Sequence, residues 1–322
     1  MKNIYRLSIL IAIGMLLLAS LGACGTQPTT SANSSLSGTI AISGADALYP
    51  LMQRWAGEFQ KVNPGVKFDI SAGGAGKGMT DILSGAVDIG MISRPITADE
   101  EAKGAYWISV ARDAVFPDVN SKNPVLQDLL TKGVKQDVFV AIFITGTIKT
   151  WGQVVGRPEV TDEIHIYTRS DASGAAAVWA SYLGKVQENL LGIGVSGDPG
   201  ILDALGKDPL GIGYNNLSYV FDLSTGKPTA NITLIPVDSN GNGQADSGEV
   251  IDSLAKAGNA VAQGIYPSPP ARLEYLATKG KPSGLVQAFL QWILNDGQKF
   301  VTETGYLQLP SDQLAASLQK IQ

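Results

Sequence analysis

The sequence predicts an α/β fold built as two lobes, and two observations lead to this prediction. The chain has 322 residues, of which 44% are hydrophobic and 16% charged, so it can bury a large core but is too long for one compact domain. Strand, glycine turn and helix also follow one another repeatedly, a pattern typical of a parallel sheet with crossover helices.

The first part of the body alternates strands and helices in this way. Residues 39–43 alternate like a strand and lead into residues 47–59, whose apolar side chains recur at helical spacing. A second strand over residues 66–71 is followed by a glycine-rich turn and a helix over residues 79–84. Residues 87–92 supply a third strand.

The remainder of the body continues the alternation with less regular spacing. Its apolar runs and turn residues predict further strands, followed by two helices near the end of the chain. We expect strands at 114–120, 138–145, 164–169, 211–214 and 232–237, and helices at 175–182, 283–294 and 312–321.

Composition excludes several classes of function. The 24 Lys and Arg residues are balanced by 29 Asp and Glu without a dense basic cluster, so nucleic acid is not an expected partner. One cysteine excludes an intramolecular disulfide framework and multi-thiolate metal sites. One histidine removes most zinc sites and histidine-based catalytic triads.

The N-terminal segment predicts export. Lys2 and Arg6 precede an apolar run that is too short to span a bilayer and ends in small residues, which is typical of a signal peptide over residues 1–23. The sequence Leu-Gly-Ala-Cys ending at Cys24 resembles the bacterial lipobox, which implies that Cys24 is lipidated and anchors the protein to a membrane outside the cytoplasm. The polar composition of residues 24–37 predicts a flexible tether.

Three glycine-containing turns are candidates for an anion site. They span residues 43–46, 73–78 and 169–175, each between a predicted strand and a helix, where ligands of open α/β sheets bind. Such turns present backbone N–H groups and the positive end of a helix dipole. The third turn adds the guanidinium of Arg169 and the hydroxyl of Ser173; their alternative roles are a surface ion pair and a helix N-cap.

Taken together and in order, six segments resemble the substrate-binding proteins of bacterial phosphate ABC transporters. The segments are 43–51, 73–78, 87–95, 146–151, 169–174 and 305–310. The resemblance implies the type II periplasmic-binding-protein fold, in which two α/β lobes with mainly parallel sheets are joined by two crossover strands. It also implies that the protein captures inorganic phosphate, passes it to an ABC permease and needs no cofactor.

The resemblance also implies lobe boundaries and ligand contacts. Lobe 1 is expected to comprise residues 38–116 and 267–322, and lobe 2 residues 117–266. The expected ligand-binding residues are Gly44, Ala45, Asp46, Leu48, Gly74, Ala75, Gly76, Ser93, Arg169, Ser173, Gly174 and Ala175.

The chain departs from the family pattern at three of these positions. Ala75 and Ala175 stand where family members commonly place hydroxyl donors, and Ser93 stands where some place an aspartate. Hydrogen phosphate carries a proton that needs an acceptor, whereas sulfate carries none. If the protein prefers phosphate, we therefore expect Asp46 or Ser93 to accept that proton. The alternatives are that the same fold binds sulfate, molybdate or another oxyanion, or that the protein acts as a sensor.

A separate segment has the spacing of a calcium-binding loop. Residues 238–249 place oxygen-bearing side chains at loop positions 1, 3, 5 and 9, glycine at position 6 and glutamate at position 12. The alternative is a solvated Asn/Gly turn. The expected ligands of a structural Ca²⁺ are Asp238, Asn240, Asn242, Gln244, Asp246 and Glu249.

The sequence therefore favours a lipid-anchored, monomeric binding protein and not an enzyme. A more distant alternative is an exported hydrolase of phosphate esters. Such an enzyme needs a nucleophile with a base, or a metal cluster, in its cleft, and the sequence offers no convincing candidate for either.

Overall fold

The computed structural model describes residues 36–322. The predicted signal peptide, the predicted lipidation site Cys24 and the predicted tether as far as residue 35 lie outside these residues. Within residues 36–322 no helix is both long and apolar enough to cross a membrane.

Strands and helices alternate through much of the chain. The strands are β1 (Ser37–Gly44), β2 (Gly65–Ala72), β3 (Ile89–Ile92), β4 (Ala105–Asn120), β5 (His165–Arg169), β6 (Ile193–Val195), β7 (Gly211–Asn216), β8 (Phe221–Asp222), β9 (Lys227–Pro228), β10 (Ile232–Leu234) and β11 (Ala271–Lys279). The helices are α1 (Tyr49–Val62), α2 (Ala75–Ser84), α3 (Ala98–Ala102), α4 (Leu126–Lys132), α5 (Gln136–Phe143), α6 (Trp151–Val155), α7 (Gly174–Tyr182), α8 (Gly197–Lys207), α9 (Leu217–Val220), α10 (Leu254–Ala262), α11 (Gly284–Leu294), α12 (Lys299–Glu303) and α13 (Ser311–Lys320).

The main sheet has the strand order β2-β1-β3-β11-β4-β7-β5-β6, with β10 also paired to β4. Strand β1 lies parallel to β2 and β3, and β5 lies parallel to β6 and β7. Strands β4 and β11 run antiparallel to their neighbours in the middle of the order. The predicted α/β class is confirmed, and four of the eight strand pairs of the main sheet are parallel, at the two ends of the strand order.

Two large clusters of buried side chains form the hydrophobic cores. The first core draws on residues between 40 and 111 and between 276 and 321, and the second on residues between 114 and 271. Strands β4 and β11 each contribute to both cores and so run from one to the other. The lobe boundaries expected from the sequence stay a prediction.

The strand predicted over residues 138–145 was wrong, because residues 138–143 lie in helix α5. A short continuous apolar run is compatible with a buried strand or a buried helix, so its periodicity alone did not decide. In the structure Phe139, Ile142 and Phe143 are fully buried in the second core, at the spacing of one helix face. The sequence reading also missed β11 and the first half of β4.

Gly44, at the end of β1, allows the close approach of β1 and β3. A Cβ atom at this position would lie 2.3 Å from the Met91 carbonyl oxygen, and the residue has φ +136°. Both observations require glycine here. Gly57, in the middle of α1, has no such contact: a Cβ there would meet nothing within 4 Å.

We predict opposite effects for alanine at these two glycines. Gly44→Ala should lower the free energy of unfolding by roughly 2 kcal/mol or more, because it combines a steric clash with a strained φ. Gly57→Ala should raise it by about 0.5 to 1 kcal/mol, because alanine favours the helix. Urea denaturation of both variants measures the difference, and equal stabilities would contradict the packing role of Gly44.

Candidate functional site

A small cavity lies where several strands of the main sheet end. Strands β1, β2, β3, β5 and β7 all present their carboxyl ends to it, which is the edge at which open α/β sheets bind ligands. Its walls lie so close together that a water-sized sphere does not fit between them. The residues that line this central cavity are Ala45, Asp46, Ala47, Gly74, Ala75, Ser93, Arg169, Ser173, Gly174, Ala175, Asp198 and Asn216.

The guanidinium of Arg169 is the main charged group of the cavity, and its side chain is only 1% exposed. Nε and Nη2 donate to the two carboxylate oxygens of Asp171, at 2.8 and 2.6 Å. Nη1 donates to Asp198 and Nη2 to Asp46, both at 2.8 Å. Four of the five N–H donors of this guanidinium therefore already have a carboxylate partner.

The three carboxyls around Arg169 differ in their tendency to ionise. Burial opposes ionisation of Asp171, but the hydrogen bonds from Arg169 outweigh it and hold the pKa of this carboxyl below its usual value. At Asp46 and Asp198 burial is the stronger influence and raises the pKa of each carboxyl, although the positive charge of Arg169 opposes it. Asp171 is therefore the carboxyl that ionises most readily of the three, and it serves as the counter-ion of Arg169.

The predicted N-cap role of Ser173 is present in the structure. Its Oγ accepts hydrogen bonds from the backbone N–H groups of Ala175 and Ala176, at 3.1 and 3.3 Å, at the start of α7. The Ser173 hydroxyl can still donate one hydrogen bond of its own. Helix α2 also begins at the cavity, at Ala75, so the positive ends of two helix dipoles lie beside it.

Contacts across the cavity join segments that pack with different cores. Arg169 donates to Asp46, and the Tyr219 hydroxyl donates to the Asp46 carbonyl oxygen at 3.1 Å. A Cβ at Gly174 would lie 2.0 Å from the Ser93 hydroxyl oxygen, so glycine is required at the start of α7. In this structure the two sides of the cavity are therefore in direct contact.

Nine of the twelve predicted ligand-binding residues line the cavity and three do not. The nine are Ala45, Asp46, Gly74, Ala75, Ser93, Arg169, Ser173, Gly174 and Ala175. Gly44 instead packs against β3, and Leu48 is fully buried in the first core. The N–H of Gly76 donates to the Ala172 carbonyl oxygen at 2.9 Å, so Gly76 joins the turn after β2 to the turn after β5.

The sequence reading missed three residues of the cavity wall, which are Ala47, Asp198 and Asn216. Asp198 follows β6 at the start of α8, so the turn around it repeats the strand, glycine and helix pattern of the three recognised turns. Asn216 ends β7 and donates through Nδ2 to Asp198 at 2.7 Å. The pattern around Asp198 was readable from the sequence, whereas the position of Asn216 depends on the sheet.

The predicted calcium loop folds around its own carboxylates. Asp238 accepts hydrogen bonds from the N–H groups of Gly241, Asn242 and Gly243, and Glu249 accepts from those of Ser239 and Asp246. Nowhere in residues 36–322 do three His, Cys, Asp or Glu side chains converge as metal ligands would. Binding of calcium by this loop stays a prediction.

Comparison with known proteins identifies relatives along most of the chain. A protein from Bacillus subtilis (strain 168) named phosphate-binding protein PstS is 28% identical over 313 residues, covering 95% of this chain and 94% of its own. A protein of the same name from Methanocaldococcus jannaschii is 25% identical and covers 90% and 87%.

A solved structure has a similar fold. It is described as a putative phosphate ABC transporter substrate-binding protein with bound phosphate, from Clostridium perfringens. It aligns with a TM-score of 0.69 at 22% identity, covering 85% of this chain and 100% of that one. A family model described as a PBP superfamily domain matches residues 29–297, and the chain therefore belongs to the PBP superfamily.

Proposed function

We propose that this protein captures inorganic phosphate outside the cytoplasm and delivers it to an ABC permease. The observation that carries the proposal is the central cavity, where a buried guanidinium and two helix N-termini meet at the carboxyl ends of five strands. The two relatives named phosphate-binding protein support the same ligand.

Capture depends on differential affinity and requires no covalent chemistry. The turns that carry Asp46 and Ala75 pack with the first core, whereas the start of α7 packs with the second. An anion between them gains both sets of hydrogen-bond donors only when the two sides are close together, so it favours the closed form. A permease that distinguishes closed from open forms then accepts only the loaded protein.

We predict that Arg169→Ala weakens phosphate binding at least tenfold, because a charge-assisted donor of the cavity is lost. Arg157→Ala is the matched control, since Arg157 is half-exposed and pairs with Asp128 and Glu159. Titration calorimetry with inorganic phosphate measures both dissociation constants.

Arg169→Lys keeps the charge but loses the fork that binds Asp171 through two nitrogens, so an intermediate affinity is expected. This variant also separates binding from folding if Arg169→Ala leaves too little folded protein. An unchanged dissociation constant in a folded Arg169 variant would remove this residue from the ligand site.

A ligand panel tests the alternatives. Sulfate and molybdate, compared with phosphate in thermal-shift assays, distinguish the ligands because stabilisation follows affinity. Tight binding of sulfate would contradict a proton acceptor at Asp46 or Ser93. Turnover of a chromogenic phosphate ester would favour the hydrolase.

We also propose that the protein acts as a monomer anchored through a lipid on Cys24. The lipobox-like sequence before Cys24 supports the anchor. In cells supplied with labelled palmitate, the wild-type protein should carry label in the membrane fraction. Cys24→Ser should carry none, and labelling of that variant would overturn the assignment of Cys24.

We propose further that residues 238–249 bind Ca²⁺ weakly, with a dissociation constant of roughly 10⁻⁴ to 10⁻³ M. The complete loop spacing supports this, as do Asp238 and Glu249, which are 4% and 6% exposed. Filling the site requires these oxygens to exchange some of their present backbone hydrogen bonds for the ion.

We predict that millimolar Ca²⁺ raises the melting temperature of the wild-type protein and not of Glu249→Gln, which loses the ligand at position 12. Mg²⁺ at the same concentration is the control, because it is smaller and prefers octahedral sites that retain water. Equal shifts for both proteins would contradict the site.

A further inference from the structure

The segment that follows α12 has a structural role outside the central cavity. Residues 305–310 are one of the six segments of the family resemblance, yet none of them lines the cavity. Leu307 exchanges two backbone hydrogen bonds with Arg112 on β4, at 2.8 and 3.0 Å. Tyr306 is buried in the first core, and its hydroxyl donates to the Ala47 carbonyl oxygen. The segment therefore supports the turn that follows β1.

A second support of the same turn comes from the second-core side, meaning the segments that pack with the second core; those that pack with the first core form the first-core side. Helix α9 packs with the second core through Leu217 and Val220, which are fully buried. Tyr219, between them in sequence, instead donates its hydroxyl to the Asp46 carbonyl oxygen at 3.1 Å. Burial raises the pKa of this hydroxyl, so it keeps its proton and remains a donor.

Leu223, directly after β8, makes a further contact with the first-core side. This large apolar residue is 40% exposed. A Cβ atom at Gly305 would lie 2.6 Å from Leu223 Cδ2, and Gly305 has φ +87°. The leucine side chain therefore lies directly against the glycine, which is the residue type that leaves room for it. Gly305 in turn precedes Tyr306, which is buried in the first core.

The β8–β9 hairpin that carries Leu223 is fixed to the second-core side. Phe221 is buried in the second core, and the carboxylate of Asp222 accepts backbone N–H groups of the turn between the two strands. The N–H of Leu254, at the start of α10, donates to the Gly226 carbonyl oxygen at 2.9 Å. The contact of Leu223 with Gly305 therefore joins the two sides of the cavity.

We propose that Tyr219 and Leu223 are positioning residues that form a latch between the two sides of the cavity, and that this latch sets how long a captured anion is retained. The inference rests on the proposed function. Neither residue lines the cavity, so neither contacts an anion that the cavity holds. Both act through the first-core side, Tyr219 through the turn that carries Asp46 and Leu223 through Gly305.

The latch stabilises the closed form whether or not an anion is bound. Its hydrogen bond and its apolar contact exist only while the two sides touch, so both must break before the cavity opens. Breaking them is part of release, whereas an anion enters while they are open. The latch should therefore slow dissociation and leave the association rate nearly unchanged, which is how affinity is usually tuned among variants of one binding site.

The test measures release of radiolabelled inorganic phosphate from the purified protein into an excess of unlabelled phosphate. Titration calorimetry gives the dissociation constant, and the release rate divided by this constant gives the association rate. We expect Tyr219→Phe and Leu223→Ala each to raise the release rate and the dissociation constant roughly three- to tenfold, because each loses one modest interaction. The association rate should stay within about twofold of the wild-type value.

Matched controls remove the same chemistry within the second-core side. Tyr167→Phe loses the hydrogen bond from its hydroxyl to Asp208, which is 2.9 Å long. Leu191→Ala removes a leucine that is also 40% exposed and that lies beside Gly146. Both variants should release phosphate at the wild-type rate, because these contacts do not cross the cavity.

A double-mutant comparison tests the contact between Leu223 and Gly305. In Gly305→Ala the new methyl group must displace the end of the flexible Leu223 side chain, so release should accelerate as it does in Leu223→Ala. With Leu223→Ala already present, Gly305→Ala should add less than about twofold, because the group that it displaces is gone. The backbone strain of alanine at φ +87° is present in both backgrounds and cancels in the comparison.

Melting temperatures measured without phosphate show which variants are folded. If Gly305→Ala fails to fold, the single variants at Tyr219 and Leu223 still decide the question, because neither substitution introduces strain or a clash. They remove one hydroxyl and part of one half-exposed side chain.

The outcomes separate the latch from the proposed function. Release from Tyr219→Phe and Leu223→Ala at the rates of their controls would overturn the latch and leave phosphate capture intact. Slower association with unchanged release would also overturn it, as would independent effects of the Leu223 and Gly305 substitutions. No binding of phosphate by the wild-type protein would overturn both.

Discussion

The site depends on one buried guanidinium that must be neutralised. Removing a charge from water costs several kcal/mol per ion in proteins, and a buried ion remains stable only with well-placed partners. Arg169 finds these partners on three segments: the turn after β1, the turn after β5 and the start of α8. Because each segment must reach the same group, Arg169 fixes the distances across the cavity.

The sheet explains why those segments meet. Parallel strands present their carboxyl ends at one edge, and here the segments that follow β2, β5 and β6 each contain a glycine, which allows close backbone approach. Gly74 is one such residue: a Cβ there would lie 2.6 Å from the Ala172 carbonyl oxygen, which belongs to the opposite turn. The same small residues that bring the turns together leave little space between them, so the cavity suits a compact ligand.

Much of this arrangement could be predicted from local sequence, and the rest could not. Turns such as 73–78 and 169–175 can be recognised in the sequence, because glycine and capping residues determine the backbone conformation within a few positions. The helical state of α5 depended on which face the second core covers, and the contribution of Asn216 depended on pairing between β4 and β7. The absence of hydroxyls at Ala75 and Ala175 is evident from the sequence, but the surplus of carboxyls becomes visible only when the structure places Asp198 beside Arg169.

The surplus of carboxyls over guanidinium groups extends beyond the cavity toward the middle of the sheet. Asn216 joins Asp198 to Arg272, and Arg272 joins Asp113 to Glu274, so hydrogen bonds run without interruption from the cavity to β4 and β11. These are the strands that pass between the two cores. In that buried cluster one oxygen each of Asp113 and Glu274 has no hydrogen-bond partner within residues 36–322, which is costly for an ionised carboxylate and less so for a protonated one. Burial raises the pKa of both carboxyls, and Arg272 only partly opposes it. The ionisation of the carboxyls in the cavity is therefore coupled to that of Asp113 on β4 and Glu274 on β11.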